Sequence, residues 1–322
     1  MTDTAFVFPG QGSQSVGMGR GWAERSAAAR RTFEEADEAL GEPLSELIWE
    51  GPGEDLGLTA NTQPAILTCS IAVLRALQEE DRLPSPVAVA GHSLGEYTAL
   101  VAAGALDVAE AVRLVRRRGE LMQQAVAPGV GAMAAILAMD AADVAAVVDE
   151  VSAATTGDEV VTVANYNANG QTVIAGHRAP VERACELALE RGARKATVLD
   201  VSAPFHSPLM APAREGMAPL LAAAGFSAPR VPVVVNVDAR PVTEPDRLRD
   251  ALVRQIDGTV RWVESVEHLE REMGVDLFLE IGPGVVLSGM NKRIVDDAGF
   301  LSVGDFKDGE AKNLDKLEAA LG

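Results

Sequence analysis

In Pro86-Val87-Ala88-Val89-Ala90-Gly91-His92-Ser93-Leu94-Gly95, a short apolar run of the kind that forms a buried parallel strand feeds straight into a Gly-x-Ser-x-Gly turn. Such a turn converts strand into helix so sharply that only glycine fits on either side of the strained serine, whose hydroxyl is left exposed. A helix predicted over 96–103 completes the strand-turn-helix context that this nucleophile elbow demands. The same residues also suit a tight βα turn without chemistry, so a catalytic Ser93 needs partners elsewhere in the chain.

Upstream, a strand-like run over 5–8 ends in Pro9 and the glycine-rich Gly10-Gln11-Gly12-Ser13-Gln14; helix-like segments follow as far as Leu40, and a helix-compatible stretch covers 62–78. Downstream, a helix over 108–125 is closed by Pro128-Gly129. From Gly131 the texture changes to a strand over 132–138, a helix over 141–152, strands over 160–165 and 171–175, a helix over 181–191 and a strand over 195–199. This βαββαβ order is the ferredoxin-like arrangement, whose ends lie close together, as an insertion requires. Strand-like runs over 231–237 and 277–281 then resume an alternating pattern through to a C-terminal helix around 313–321. The expected class is α/β, with a large domain of residues 1–128 and 199–322 interrupted by a ferredoxin-like small subdomain of residues 129–198.

Composition agrees with that layout. The chain has 322 residues, 48% hydrophobic, 23% charged and 4% aromatic; single cores stop growing near about 250–300 residues, so a main domain with a subdomain is the natural division. Every long apolar run is broken by charge, Gly or Pro short of the roughly 20 residues a membrane helix needs. No basic and apolar leader precedes the first strand, so a cytoplasmic location is expected. With 47 acidic against 28 basic residues, the net charge of −19 disfavours binding to nucleic acid or to an anionic membrane. Cys69 and Cys185 are too few for a disulfide framework and read as core residues in a reducing compartment. No metal-ligand spacing and no redox cofactor motif is present, so neither metal nor cofactor is expected.

A serine nucleophile needs a base, and the chain offers His92, His177, His206 and His268. His92 adjoins the serine on the strained turn, so the two side chains diverge; His268 lies in a charged helix-like segment, and His177 in a Gly176-His177-Arg178 turn. His206 stands in the proline-bracketed Ser202-Ala203-Pro204-Phe205-His206-Ser207-Pro208 after an apparent strand, where restricted backbone can hold a functional side chain. Elimination favours His206, although an ordinary loop histidine fits the same pattern. The oxyanion formed by attack on a carbonyl needs donors, and two backbone N–H groups suit the need: Leu94, just after the serine, and Gln11, in the glycine-rich loop after the first strand. That loop lacks the Gly-Lys-Ser/Thr of a phosphate cradle. In the helix from Val108, Arg118 falls in line with the inward stripe of Val108, Ala111, Val112, Val115 and Met122, whereas Arg116 and Arg117 fall away from it. An inward guanidinium demands an anion, either a protein carboxylate or the free carboxylate of a substrate.

Together these residues resemble the malonyl-CoA:acyl-carrier-protein transacylases and the related acyltransferases of polyketide synthesis, over essentially the whole chain. The resemblance is carried by the order and spacing of Phe8-Pro9-Gly10-Gln11-Gly12-Ser13-Gln14, Gln63-Pro64-Ala65, Gly91-His92-Ser93-Leu94-Gly95-Glu96-Tyr97, Arg117-Arg118-Gly119 with Met122-Gln123, Asn165-Tyr166-Asn167, Ala203-Pro204-Phe205-His206-Ser207 and Glu280-Ile281-Gly282-Pro283-Gly284. It implies an α/β-hydrolase-like large domain with the ferredoxin-like insert. It further implies a two-step transfer in which Ser93 takes malonyl from malonyl-CoA as an ester and passes it to the phosphopantetheine thiol of an acyl carrier protein, in fatty-acid or polyketide synthesis. His206 is then the base, oriented without the usual acidic third member, Arg118 holds the malonyl carboxylate, and the Gln11 and Leu94 N–H groups form the oxyanion hole. Gln255 matches an active-site glutamine and Asn167 a residue lining the site; His92 joins them as a substrate-binding candidate. Phe205 before the base and Leu94 after the serine match the malonyl-selecting pattern, since a bulky residue near the base leaves little room for an α-substituent. Ser202-Ala203-Pro204-Phe205 departs from the corresponding tetrapeptides of many modular synthase domains. A monomer is expected.

Three other functions use the same scaffold. A serine esterase or thioesterase shares the serine, base and oxyanion hole, but it has no use for a buried cation facing a neutral acyl pocket. An acyltransferase for a larger extender unit differs only in the pocket, and a non-catalytic scaffold subunit has no reason to keep Ser93, His206 and Arg118 together. Carriers of this kind are usually acidic, so docking on a chain of charge −19 calls for a local basic patch. Arg191, Arg194 and Lys195, or Lys292 with Arg293, are the candidates.

Overall fold

A computed structural model of the chain describes residues 2–307 and 310–321. Its two larger sheets contain β1 (Thr4–Phe8), β2 (Ala88–Gly91), β3 (Gly131–Leu137), β4 (Val161–Ala168), β5 (Gln171–His177), β6 (Lys195–Val198), β7 (Val233–Val235), β8 (Arg240–Val242), β9 (Leu277–Ile281) and β10 (Gly299–Val303). β1, β2 and β9 are buried at every residue, because helices cover both faces of the sheet they form; hence their near-continuous apolar sequences, with Thr4 and Glu280 as the buried polar exceptions.

The first sheet has the order β10-β9-β1-β2-β7-β8, parallel throughout except for the antiparallel edge pair β7-β8. Its strands end together at one edge, where Phe8 pairs with Gly91, and the loops leaving β1 and β2 meet there. The second sheet is antiparallel, with the order β4-β5-β3-β6. That is the ferredoxin-like order for a βαββαβ segment. The helices Ala141–Ala154 and Arg178–Glu190 pack on it, burying Val144, Val147, Val181 and Ala184 against Ala134, Ile136 and Ile174. The mixed α/β class read from the sequence is the one observed.

Several boundaries differ for physical reasons. β4 runs to Ala168 rather than stopping at Asn165, since bulges at Val163/Asn165 and Tyr166/Ala168 break the alternation expected of a strand while keeping it paired. The helix expected over 181–191 begins at Arg178, with Pro180 in its first turn, where a missing N–H costs nothing. His177 is therefore the last residue of β5 and not part of a turn; its Nδ1 accepts a hydrogen bond from Val160 N–H. Only Val233–Val235 of the run over 231–237 joins the sheet, and Asn236 leaves the ladder to reach the elbow. Both cysteines are buried. Among the described residues no helix is long and apolar enough to cross a membrane, and no three His, Cys, Asp or Glu side chains cluster as metal ligands.

Candidate active site

The elbow is built by close approach of backbone. A Cβ on Gly91 would lie 1.9 Å from Gly95 O, and one on Gly95 would lie 2.2 Å from Phe8 O. Any side chain at either position would push the turn apart. Between them Ser93 takes a left-handed φ of 52°, a strained conformation for a non-glycine residue. Asn236 holds the strain in place: its Oδ1 accepts from Ser93 N–H at 2.7 Å and its Nδ2 donates to Gly91 O at 2.7 Å.

His206, also at a positive φ of 56°, brings Nε2 to 2.7 Å from Ser93 Oγ. Its other ring nitrogen, Nδ1, lies 2.9 Å from the backbone carbonyl oxygen of Gln255. A carbonyl oxygen only accepts, so the ring proton sits on Nδ1, and Nε2 presents its lone pair to the serine hydroxyl. Burial, with the Arg118 cation as a second cause, depresses the imidazole to about 3 against the gain from the Gln255 carbonyl, which keeps the ring neutral. A neutral imidazole aimed at a strained serine hydroxyl is equipped to take its proton.

Arg118 is 1% exposed and lies beside the same oxygen. Its Nη1 donates to Gln63 Oε1 at 2.7 Å, and its Nη2 to Gln255 Oε1 at 2.9 Å and to Ser93 Oγ at 3.1 Å. The face of Tyr97 lies 5.7 Å from the guanidinium carbon. Arg118 Nε is buried with no hydrogen-bond partner among the described residues. Of the two anions the sequence left open, a protein carboxylate is not the one supplied: among the described residues Arg118 makes no ion pair, and side-chain amides take its protons instead. Burial holds its pKa below the usual value, so the site favours an incoming anion.

The glycine-rich loop after β1 abuts the elbow, since a Cβ on Gly10 would lie 2.5 Å from His92 O. Among the described residues neither Gln11 N–H nor Leu94 N–H donates to another protein group. Ser93, Arg118, His206, Gln11, Leu94 and Phe205 all line one cavity of about 720 Å³. His92 and Asn167 line it too. The His92 ring does diverge from Ser93, with Nε2 at 2.8 Å from Asn167 Oδ1 and its edge on Trp262 at 5.6 Å between centroids. Gln255 lies behind the cavity wall, touching its chemistry through Arg118, Ser93 and His206. His268 is half-buried on the helix Trp262–Arg271, outside this group. A slightly larger cavity, about 790 Å³ beside Tyr166 and Arg254, lies away from Ser93, and its arginines are already paired: Arg254 with Asp238 and Asp250, Arg261 with Glu264.

Two contributors were not singled out from the sequence. Asn236 sits inside a run read as strand, where a polar residue among valines is the only signal. Gln63 belongs to a quoted motif but carries no mark of its contact with Arg118, 55 positions away.

The sequence model of the acyl transferase domain family matches residues 5–320. The malonyl CoA-acyl carrier protein transacylase of Escherichia coli (strain K12) is 49% identical over 296 residues, covering 92% of this chain and 94% of the relative. The protein of the same name from Bacillus subtilis (strain 168) is 51% identical over 294 residues, 91% of each chain. The crystal structure of an acyl carrier protein S-malonyltransferase from Vibrio cholerae superposes with a TM-score of 0.91 at 46% identity, covering 95% of this chain and 98% of that one. With a match from residue 5 to residue 320 and about half of all positions identical to these relatives, the chain belongs to the acyl transferase domain family.

Proposed function

We propose that the protein transfers a malonyl group from malonyl-CoA to the phosphopantetheine thiol of an acyl carrier protein, by way of an ester on Ser93. His206 Nε2 removes the hydroxyl proton as Ser93 Oγ attacks the thioester carbonyl. The N–H groups of Gln11 and Leu94 donate to the oxyanion that forms. The C–S bond then breaks and the coenzyme A thiolate leaves with the proton from His206. In the second half the carrier thiol gives its proton to His206 and attacks the ester, and Ser93 recovers the proton as the C–O bond breaks. The substrate carboxylate accepts from Arg118, with Asn167 and His92 lining the pocket and Phe205 restricting the α-carbon. The carrier's phosphopantetheine belongs to the partner, and the chemistry calls on no other cofactor.

One observation carries this reading: a buried guanidinium 3.1 Å from the nucleophilic oxygen, hydrogen-bonded to amides and to no carboxylate among the described residues. A hydrolase of neutral acyl groups gains nothing from such a cation. The names of the relatives support the same substrates and partner. We assign the enzyme to fatty-acid or polyketide synthesis in the cytoplasm, acting as a monomer. In this reading residues 129–198 form the small subdomain and supply one wall of the pocket, through Met133, Asn167 and Val173. Residues 1–128 and 199–322 carry the reacting groups.

Intact mass after brief mixing with malonyl-CoA tests it. The expected result is a malonyl adduct on the parent protein, absent in Ser93→Ala, that moves to an added carrier protein. An adduct that decays to free acid without a carrier establishes the hydrolase instead.

A further inference from the structure

Glu96 follows the second elbow glycine, is 0% exposed, and has no part in the acyl transfer described above. Its Oε2 accepts from Asn236 N–H at 2.8 Å and from Gln255 Nε2 at 3.0 Å, while Oε1 has no partner among the described residues. A carboxyl group sealed away with one oxygen idle is costly to keep. Burial pushes it up to about 7. The geometry that it controls is the amide of Gln255.

That amide has two distinct ends. Nε2 donates to Ser93 O at 2.9 Å and to Glu96 Oε2, and Oε1 accepts from Arg118 Nη2 at 2.9 Å. Turned over, it would set its oxygen against two oxygen acceptors and its NH₂ against a guanidinium that can only donate. Ser93 O and Glu96 Oε2 are thus the two main acceptors that forbid the turned-over state, with Asn236 Oδ1 a longer third at 3.4 Å. Arg118 is in turn held by two amide oxygens, those of Gln63 and Gln255. Loss of the second leaves Nη2 with Ser93 Oγ as its one remaining acceptor among the described residues.

We propose that Glu96 is a positioning residue for acyl selection: by accepting from Gln255 Nε2 it fixes the amide face that orients Arg118, and so sets the preference for an acyl group bearing a carboxylate over a neutral one. The inference rests on the acyl-transfer reading above. It needs the acceptor oxygen and not the charge, since Glu96 makes no ion pair with Arg118, whose hydrogen bonds all go to amides and to Ser93.

The test is single-turnover acylation of Ser93 by malonyl-CoA and by acetyl-CoA, read as intact mass after rapid quenching, alongside sulfonylation of the same serine by phenylmethanesulfonyl fluoride. Glu96→Gln still presents an oxygen to both donors and keeps the malonyl-to-acetyl rate ratio within about threefold of the parent. Glu96→Met has similar length and no acceptor; it lowers the ratio about tenfold or more, with sulfonylation changed by less than about threefold. Glu96→Asp keeps the charge but withdraws the oxygen by one methylene, and lowers the ratio in the same direction, which decides the matter if the Met variant does not fold. A ratio unchanged in both Met and Asp variants overturns the proposal. Equal losses with both thioesters and the sulfonyl reagent overturn it too, since they would make Glu96 a support of the elbow alone. A parent protein that takes no acyl group from malonyl-CoA overturns the reaction itself, a result distinct from either of these.

Discussion

His206 is oriented by the backbone of Gln255, whose carbonyl oxygen lies 2.9 Å from Nδ1, and among the described residues by no carboxylate. A neutral acceptor fixes the tautomer and raises the basicity of the ring less than an acid partner would. Burial and Arg118 therefore prevail, and the imidazole stays neutral down to about 3. The sulfonylation rate of Ser93, which needs the neutral ring, is expected to hold level from pH 8 to about pH 5. A fall centred near pH 6.5, the ordinary histidine value, would contradict it. Stability has the matching sign: the unfolded chain takes up the proton first, so the His206 contribution is intact above about 6.5 and is lost progressively as pH falls toward about 3.

Arg118→Met removes the buried cation and leaves the apolar part of the side chain. Charge-assisted hydrogen bonds contribute about 1.5–3 kcal/mol each, so malonyl acylation is expected to slow by about 10- to 150-fold or more. Acetyl-CoA, with no carboxylate, gains relative to malonyl-CoA. The measurement is the pair of acylation rates by intact mass, and a proportional loss for both would detach Arg118 from carboxylate recognition.

Glu96 has the opposite linkage to His206. Its folded-state pKa is raised to about 7, so its favourable contribution is present below the ordinary carboxyl value and is lost as pH rises through about 7. Glu96→Gln does not titrate. Relative to the parent it is expected to gain up to about 3 kcal/mol between pH 4.5 and pH 8, read from denaturant melts at the two pH values. A stability difference independent of pH would show that Glu96 titrates normally in the fold.

How much of this was legible in the sequence depended on whether the physics leaves a mark on a side chain. The elbow was readable because its sterics demand glycine at positions 91 and 95, and Arg118 because a charged residue on an apolar helical stripe breaks a pattern. The partner that orients His206 was not, because a backbone carbonyl has no residue type; only the resemblance pointed to Gln255, and then to its side chain. Asn236 was hidden inside a valine run, since nothing in the run says where the ladder ends. The bulges of β4 likewise concealed that Asn167 lies on the same strand as Asn165, because a bulge destroys the alternation by which a strand is recognised.

Asn236→Leu tests how the elbow is held. The substitution keeps the γ-branched shape of the side chain but leaves Ser93 N–H and Gly91 O without their 2.7 Å partners. Two unsatisfied backbone groups at about 1–3 kcal/mol each predict a loss of about 2–6 kcal/mol in unfolding free energy. Ser93 sulfonylation falls along with it. A variant as stable as the parent would mean that the glycines alone sustain the strained φ of Ser93.

Docking of the carrier sets a different problem for a chain of charge −19, since a carrier expected to be acidic calls for a local basic patch. The short helix Val286–Asn291 contributes Val286, Leu287 and Met290 to that cavity, and the exposed Lys292 and Arg293 follow it directly. Val285, 57% exposed, begins the same segment, so an apolar edge and two cations are presented side by side. Of the other candidates, Arg191 is already paired with Glu150. Reversal of both charges, Lys292→Glu with Arg293→Glu, is expected to raise the KM for the carrier by about tenfold at low salt, a difference that shrinks as salt screens the pair. Self-acylation by malonyl-CoA, which does not involve the carrier, stays within about twofold. If both half-reactions slowed together, the two cations would belong to the coenzyme A site, and the carrier would dock elsewhere.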